Sequence, residues 1–311
     1  MGKILLTKEQ KIEILSISHN HTSLELSKMY NCSRSLILKI WMDNNYHKPT
    51  GFSYYINENY FEKVDTQNKA YILGFLASDG CLYKRKNNIN AKGWIRLTLH
   101  NKDEYILKLM LNDMDATYPV KTIKRKNGVY SNFNIVNEKI FQDLVLLGLH
   151  PAKTWTLNLE LTFEKIPKYL WMHFLRGYFD GDGSITETKD RLPSGIFISF
   201  VGAYNAMQII SNKLKELNID NTLKEDNTKK YSDKFGIILF NGSNKKYIFL
   251  KYLYENKKLY LERKFDRANY FFYLIENNIS NRSENKKAVK DYEEFLNNKG
   301  EFNGEINIFR F

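Results

Sequence analysis

The stretch Phe174-Leu-Arg-Gly-Tyr-Phe-Asp-Gly-Asp-Gly-Ser-Ile185 decides how this chain folds. Phe174, Leu175, Tyr178 and Phe179 recur at the spacing of one face of a helix. The pattern therefore predicts a helix with a strongly apolar side, which ends near the run of glycines and acids that closes the stretch.

The glycines and the last acid of this helix suggest what lies against it. Gly177 and Gly181 are four residues apart, and because a glycine has no Cβ, a second backbone can approach closely there. Asp182 is predicted in the last turn, beside carbonyls without intrahelical partners and at the negative end of the helix dipole. A divalent cation would remove this conflict by binding the carboxylate and neighbouring carbonyl oxygens, so Asp182 is a candidate metal ligand.

The same pattern occurs earlier in the chain, in Ala70-Tyr-Ile-Leu-Gly-Phe-Leu-Ala-Ser-Asp-Gly80. It is again apolar, its small residues Ala70, Gly74 and Ser78 are four apart, and it ends with Asp79. A single buried helix with a glycine stop is common, but two copies with matching terminal acids indicate a duplicated unit.

The two stretches resemble the nine-residue signature of LAGLIDADG homing endonucleases, at Ile72–Gly80 and Leu175–Gly183. The resemblance implies an α+β fold of two pseudo-symmetric αββαββα halves with saddle-shaped antiparallel sheets, in which the paired signature helices form the interface. It also implies that the penultimate acids, Asp79 and Asp182, bind Mg²⁺ and that each directs cleavage of one DNA strand.

The resemblance further suggests the composition of the catalytic site. The metal ligands would be Asp79 and Asp182, with Ser78 and Gly181 beside them, holding two or three Mg²⁺ ions for which Mn²⁺ can substitute. Such a site leaves coordination positions for phosphate and water.

Two further features of the family have counterparts in this sequence. A basic residue from each half would lie near the reacting water or the phosphate, and the matching positions are Lys153 and Lys264; the alternative for either is a solvated surface charge. The first acid of the signature is Ala77 in the first copy and Asp180 in the second, where interface packing or a helix-end hydrogen bond is the first interpretation.

After each signature the chain predicts two strands, a helix, two strands and a helix. In the first half these elements are Cys81–Lys86, Trp94–His100, Asp103–Met114, Val120–Lys126, Tyr130–Val136 and Glu138–Leu147. In the second half they are Ser184–Lys189, Ile196–Val201, Ala203–Leu217, Asn221–Asn227, Phe235–Phe240 and Asn244–Tyr254. The predicted domains are a helix-turn-helix-like unit at 1–45, a linker at 46–65, halves at 66–158 and 159–278, and a polar tail at 279–311.

The N-terminal region predicts three short helices, at Lys8–Ser18, Thr22–Tyr30 and Ser33–Asp43. A helix, a short turn and a second helix are typical of helix-turn-helix DNA readers, although a plain three-helix packing module would look similar. If this unit binds DNA, its exposed contacts would be Arg34, Ser35 and Lys39.

Composition favours a polyanionic partner, most simply nucleic acid, because the 311 residues carry a net charge of +12 and 14% aromatic residues. The two cysteines, Cys32 and Cys81, have no metal-like spacing, and no apolar run of the length of a membrane span occurs. We expect a monomer in a reducing cytoplasm, most simply that of a bacterial or phage-infected cell.

Outward-pointing polar residues of the predicted strands are the candidates for DNA contact, with Lys and Arg for phosphates and mixed donors and acceptors for base edges. They are Lys84, Lys86, Arg96, Thr98, Lys121, Arg125 and Asn132 in the first half and Ser184, Thr186, Lys189, Ser199 and Lys224 in the second.

The leading hypothesis is a site-specific, Mg²⁺-dependent double-strand DNA endonuclease. Two alternatives remain open at this stage: a transcription regulator of the same fold without cleavage, and an RNA maturase that binds its own intron. Regulators of this kind tend to lack the two acids, and both acids are present here.

Overall fold

A computed structural model describes residues 6–18, 21, 23–44, 46, 54–85, 91–152, 156–188, 193–225 and 235–277. The chain forms two compact units, Met1–Tyr55 and Ile56–Phe311. Among the helices of the described residues, none has the length and hydropathy that crossing a membrane requires.

The first unit contains three helices, α1 (Lys8–Ile17), α2 (Ser23–Met29) and α3 (Arg34–Asp43). Thr7 and Gln10 form a reciprocal capping box at the start of α1, as expected for a helix that begins at a threonine. The three helices share a small apolar core, and the Trp41 indole donates a hydrogen bond of 2.7 Å to Ser18 Oγ inside it.

The second unit contains two copies of one arrangement, helix–strand–strand–helix–strand–strand–helix. The first copy is α4 (Gln67–Ser78), β1 (Cys81–Tyr83), β2 (Trp94–His100), α5 (Glu104–Asp113), β3 (Lys121–Arg125), β4 (Gly128–Val136) and α6 (Glu138–Leu146). After α7 (Leu159–Lys165), the second is α8 (Trp171–Asp182), β5 (Gly183–Glu187), β6 (Ile196–Ala203), α9 (Tyr204–Glu216), β7 (Thr222–Glu225), β8 (Phe235–Leu239) and α10 (Ser243–Tyr254). A further helix, α11 (Glu262–Glu276), follows.

Both sheets are antiparallel and have the same strand order, β1-β2-β4-β3 in the first and β5-β6-β8-β7 in the second. This duplication confirms the predicted fold class. The two elements that the sequence analysis did not predict are α7 and α11, and short 3-10 turns at Asn101–Asp103 and Lys168–Leu170 precede α5 and α8.

Each sheet has one face in the core. On β2 the inward residues are Ile95, Leu97 and Leu99, all buried, and they alternate with outward residues as predicted for a half-buried strand. The inward residues of β6, among them Ile198 and Phe200, are buried in the same way.

The predicted linker at 46–65 differs from the structure in its second part. Ile56, Tyr60, Phe61 and Val64 are buried in the core of the second unit. Tyr60 also donates a hydrogen bond to Asp113 at the end of α5. The segment from residue 56 onward therefore belongs to the folded unit, because its aromatic residues remove a large apolar area from water. The predicted tail at 279–311 lies outside the described residues.

Polar contacts also join the two copies away from their signature helices. The Arg263 guanidinium at the start of α11 pairs with the buried Asp103 carboxylate, with 3.0 Å between Nε and Oδ2. Beside it, the backbone N–H of Glu262 donates to Tyr105 Oη at 2.6 Å. The second half is thus fixed to the start of α5 in the first half.

Candidate metal and nucleic-acid site

The signature helices α4 and α8 are packed backbone against backbone. A Cβ added to Gly74 would lie 2.0 Å from the carbonyl oxygen of Phe174, and one added to Gly177 would lie 1.9 Å from that of Tyr71. Neither position has room for any side chain. The glycines four residues apart are therefore required for the close contact of the two helices that their spacing predicted.

The seam brings the ends of the two helices together. Asp79 caps α4, Asp182 is the last residue of α8, and both are exposed. A Cβ on Gly181, the residue before Asp182, would lie 1.8 Å from Ser78 Oγ and 3.1 Å from Asp79 Oδ2. The carboxylate of the first helix therefore lies against the last turn of the second.

Both carboxylates shift the pKa values of two neighbouring side chains. Burial raises the pKa of Tyr178, and the charges of Asp182 and Asp79 raise it further. Burial lowers the pKa of Lys264 to about 8, while Asp180, Asp79 and Asp182 act in the opposite direction. Because Asp79 and Asp182 act on the same hydroxyl and the same amine, they contribute to one electrostatic site.

The groups around these acids fit a divalent metal site with few protein ligands. The described residues include no cluster of three or more His, Cys, Asp or Glu that could hold a metal by itself. Two exposed carboxylates at the carbonyl ends of two helices offer hard oxygen ligands, which Mg²⁺ and Ca²⁺ prefer, and leave other positions for water or phosphate. The other two residues predicted as ligands lie beside these acids: the Ser78 hydroxyl donates to the Phe75 carbonyl at 3.0 Å, and the Gly181 carbonyl accepts from Lys264 at 3.3 Å. Their role as ligands stays a prediction.

The Lys264 side chain lies at the end of α8, and its predicted role beside the reacting water or phosphate stays a prediction. It is buried, and its Nζ donates to the carbonyl oxygens of Phe179 (2.5 Å), Asp180 (2.8 Å) and Gly183 (2.6 Å), besides that of Gly181. The last carbonyls of α8 have no partners within the helix, and the ammonium group satisfies them and complements the helix dipole. The other predicted lysine, Lys153, lies outside the described residues.

The sequence analysis left Asp180 as a packing or helix-end residue, and the structure shows a buried acceptor that joins both halves. Its Oδ2 accepts from the Tyr71 hydroxyl of α4 and from the backbone N–H of Leu261, each at 2.8 Å. Burial raises the pKa of Asp180, while the charge of Lys264 and these hydrogen bonds lower it. The only sequence signal for this role is an acid where the first copy has Ala77.

Arg176 was not recognised as a structural residue from the sequence, because arginine is seldom fully buried. Its Nε donates to the Leu259 carbonyl at 2.9 Å and its Nη1 to the Leu253 carbonyl at 3.1 Å. The guanidinium also lies over the Tyr71 ring, 5.4 Å from its centroid. Together with Asp180 and Lys264, it fixes the segment after α10 to the back of α8.

The outward face of the first sheet has basic and polar residues, together with the exposed Tyr83 and Ile123. Because paired residues share a face, the register puts Arg96 with Asn134, Thr98 with Asn132 and Lys121, and Arg125 with Gly128 on that face. Four of the predicted contacts are thus outward and at least partly exposed: Arg96, Thr98, Lys121 and Arg125. Asn132 is on the same face but only 5% exposed, since it lies between neighbouring strands.

Lys84 is not part of that face. It follows β1, and its ammonium pairs with the Glu138 carboxylate at the start of α6. The alternation of the strand, with Leu82 inward, directs Lys84 to the helix side of the sheet. The prediction that Lys84 faces a groove therefore differs from the structure, and Lys86 lies outside the described residues.

The outward face of the second sheet carries the predicted polar residues within an apolar surround. Ser184 pairs with Ser199, and Thr186 with Phe197. Lys224 pairs with Ile237 on the same face and is exposed. The remaining prediction for this sheet, Lys189, lies outside the described residues.

In the N-terminal unit, the three predicted contacts lie on the exposed side of α3. Arg34, Ser35 and Lys39 are all exposed. The Arg34 Nε donates to Ser23 Oγ at 2.9 Å, which joins the start of α3 to α2 and leaves the rest of the guanidinium outward. This arrangement allows the predicted role without testing it.

Comparison with known proteins gives one family match and several similar structures. Residues 172–254 match the model of the LAGLIDADG-like domain. No curated protein matches the chain.

The similar structures are homing endonucleases. I-DmoI in complex with DNA and Ca is 15% identical over 67% of this chain and 97% of its own, with a TM-score of 0.46. The meganuclease I-SmaMI bound to uncleaveable DNA is 12% identical over 73% and 96%, with a TM-score of 0.48. I-LtrWI bound to target DNA is 14% identical over 75% and 97%, with a TM-score of 0.47. At such low identities, the function of this chain has to be argued from its own residues.

The family match begins at α8 and includes its terminal acid, both strand pairs of the second sheet and the two helices that follow them. The first half repeats this order of elements and has its own acid-ended helix. Residues 172–254 are thus a LAGLIDADG-like domain, which confirms the family that the signature stretches indicated.

Proposed function

We propose that this protein is a site-specific double-strand DNA endonuclease that hydrolyses one phosphodiester on each strand with a divalent metal ion. The observation that carries the proposal is the meeting of Asp79 and Asp182 at the ends of two helices that touch through Gly74 and Gly177. The known activity of the similar structures, several of which contain target DNA, agrees with it.

The duplicated fold suits a duplex substrate. The two strands of DNA are antiparallel, and a pair of similar halves offers each strand one acid and one sheet. Since both halves are on one chain, we propose that the protein acts as a monomer. Action in the cytoplasm of a bacterial or phage-infected cell stays a prediction.

The side chains of the site have separate tasks in this proposal. Asp79 and Asp182, both exposed, would hold the metal at the scissile phosphates. A bound Mg²⁺ supplies an activated water and stabilises the leaving oxygen at neutral pH. Lys264 holds the final carbonyls of α8 and so keeps Asp182 in position. The role of Lys153 and Lys264 beside the reacting water or phosphate stays a prediction. Mg²⁺ as the natural ion, and the number of ions, belong to this proposal.

The sheets would bind the duplex beside the acids. Arg96, Lys121 and Arg125 offer charge for phosphates and bidentate donors for base edges. The N-terminal unit would add a second contact through Arg34, Ser35 and Lys39, as in helix-turn-helix proteins. The net charge of +12 favours such binding and predicts that it weakens with salt.

The test is cleavage of a duplex obtained by selection from a randomised library, or of the rejoined junction if this reading frame interrupts a gene. We expect cleavage of both strands with Mg²⁺ or Mn²⁺, and none with a chelator. Asp79→Asn and Asp182→Asn should each slow cleavage by roughly 100-fold or more while binding persists, because a ligand of the reacting ion is lost. Asp220→Asn, which changes only a surface ion pair with Lys245, is the matched control and should cut normally.

Two outcomes would favour other functions. Binding of a specific duplex without metal-dependent cleavage would identify a transcription regulator of this fold. Preferential binding of intron RNA over any duplex would identify a maturase. Full-rate cutting of both strands by Asp182→Asn would show that the proposed site is wrong.

A further inference from the structure

The two sheets present different chemistry on their outward faces. On β2 and β3 of the first sheet, the outward residues include Arg96, Lys121 and Arg125. On β7 and β8 of the second sheet, the only charged residue on the outward face in the part of the chain that the structure describes is Lys224. The two halves therefore have the same fold but different side chains on the outward faces of their sheets.

The outward residues of the second sheet include an apolar band, Val201, Ile237 and Leu239, which is bordered by polar residues and by Lys224. Val201 of β6 pairs with Ile237 of β8, and Leu239 of β8 pairs with both Ser199 and Thr222. Phe197 stands at the other end of β6 and is 52% exposed. Paired side chains lie about 5 Å apart, so Val201 and Ile237 contact each other across the strands.

This band is separate from the core. The inward residues of the same strands, Ile198, Phe200 and Ile238, are at most 1% exposed and fill the interior. Single exposed apolar residues are common on protein surfaces, but a contiguous band on a sheet face usually marks an interaction site.

The position of the band indicates what covers it. Gly183, the first residue of β5, directly follows Asp182, and the next residue, Ser184, is the first outward residue of the sheet. A duplex with its scissile phosphate at Asp182 continues over this face, just as it continues over the basic face of the first sheet. The occupant is thus the DNA of the proposed function, on which this inference rests.

DNA offers one apolar group to such a surface. In the major groove, the C5 methyl of thymine is the only apolar group on the base edges, and apolar side chains contact it, whereas Arg and Lys contact guanine. We propose that the half of the target over the second sheet is rich in A·T pairs whose thymine methyls contact Val201, Ile237 and Leu239. The half over the first sheet is read by polar and basic side chains, so the target is asymmetric in composition.

The first part of the test uses the full chain with a chelator, which prevents cleavage, to select duplexes from a randomised library. We expect thymines to be enriched in one half of the selected duplex. Deoxyuridine then replaces thymidine in one half at a time, which removes only the methyl groups. Replacement in the thymine-rich half should weaken binding by roughly three- to fourfold for each methyl contacted, and replacement in the other half by less than about twofold.

The second part assigns the effect to the sheet by a double-mutant cycle. In the Val201→Ala/Ile237→Ala/Leu239→Ala variant, the deoxyuridine penalty should disappear, because the contacting groups are gone. In Arg96→Ala, binding should weaken but the penalty should persist. An unchanged thermal unfolding midpoint shows that each variant is folded, and Val201→Ser/Ile237→Ser/Leu239→Ser, which has no side-chain methyl groups at these positions, replaces the first variant if it is not.

The outcomes separate this inference from the proposed function. A selected duplex without thymine enrichment, or a penalty that survives in the folded triple variant, overturns the inference and leaves the nuclease proposal standing. Failure to select any duplex overturns both.

Discussion

The two signature helices both end in an exposed aspartate, but the buried residues behind the two aspartates differ. Asp79 and Asp182 are exposed at equivalent positions, yet α4 has Ala77 where α8 has the buried Asp180. In addition, Lys264 fixes the last carbonyls of α8.

This difference shows which features need symmetry. The two antiparallel strands of a DNA duplex require two acids and two sheets, but the residues that support each acid can differ. Asp180 accepts from Tyr71 of the opposite helix and from Leu261 of its own half, so the support of the second acid also joins the halves. The asymmetry of support and the asymmetry of the sheet faces point to a duplicated unit whose copies have specialised.

The largest expected effect tests the part that the halves share. Gly74→Ala and Gly177→Ala should each destabilise the second unit by about 3 kcal/mol or more, because each Cβ would overlap the backbone of the opposite helix. Chemical denaturation of the two variants measures this loss.

Gly202→Ala is the matched control. Its Cβ would meet only the flexible end of Met207 at 2.9 Å and the Tyr178 hydroxyl at 3.4 Å, so a cost below about 1 kcal/mol is expected. Equal stability of Gly177→Ala and Gly202→Ala would contradict the backbone contact at the seam.

The next effect tests the support that the halves do not share. Asp180→Asn should destabilise the fold by about 2–4 kcal/mol, since it leaves Lys264 and Arg176 without a buried countercharge. Ala77→Ser, at the equivalent position of α4, should cost less than about 1 kcal/mol. Similar effects of the two substitutions on the midpoint of denaturation would contradict the claim that Asp180 has a stabilising role that Ala77 lacks.

A smaller effect concerns the pH dependence of the second half. Burial, together with the charge of Arg176, lowers the pKa of His173 to about 4. As the pH falls from about 6.5 towards 4, the unfolded chain takes up a proton that the folded chain does not, so stability falls. Because the ring is partly exposed, we expect this group to contribute about 1–2 kcal/mol across that range.

The measurement is the free energy of unfolding as a function of pH for the protein and for His173→Gln. The variant should lose less stability than the protein between pH 6.5 and 4. Parallel curves would show that His173 titrates alike in the folded and unfolded chains.

Local patterns predicted the elements that position the site. Glycine spacing predicted the seam, and alternation predicted β2 with its bounds. These features depend on residues that are neighbours in the sequence.

The supporting contacts depend on residues that are distant in the sequence, and no local pattern encodes them. Lys264 reaches α8 from α11, a helix that was not predicted, and Leu261 reaches Asp180 from the turn before it. Lys84 was misplaced for the same reason, because its partner Glu138 begins another helix.

The most direct test of the account is the position of the metal in a crystal of the protein with its selected duplex and Mn²⁺. Anomalous scattering should place at least one ion within about 2.0–2.3 Å of oxygens from both Asp79 and Asp182, beside a phosphate of the DNA. An ion bound elsewhere, or one that contacts neither carboxylate, would contradict the claim that these two acids form a single catalytic centre.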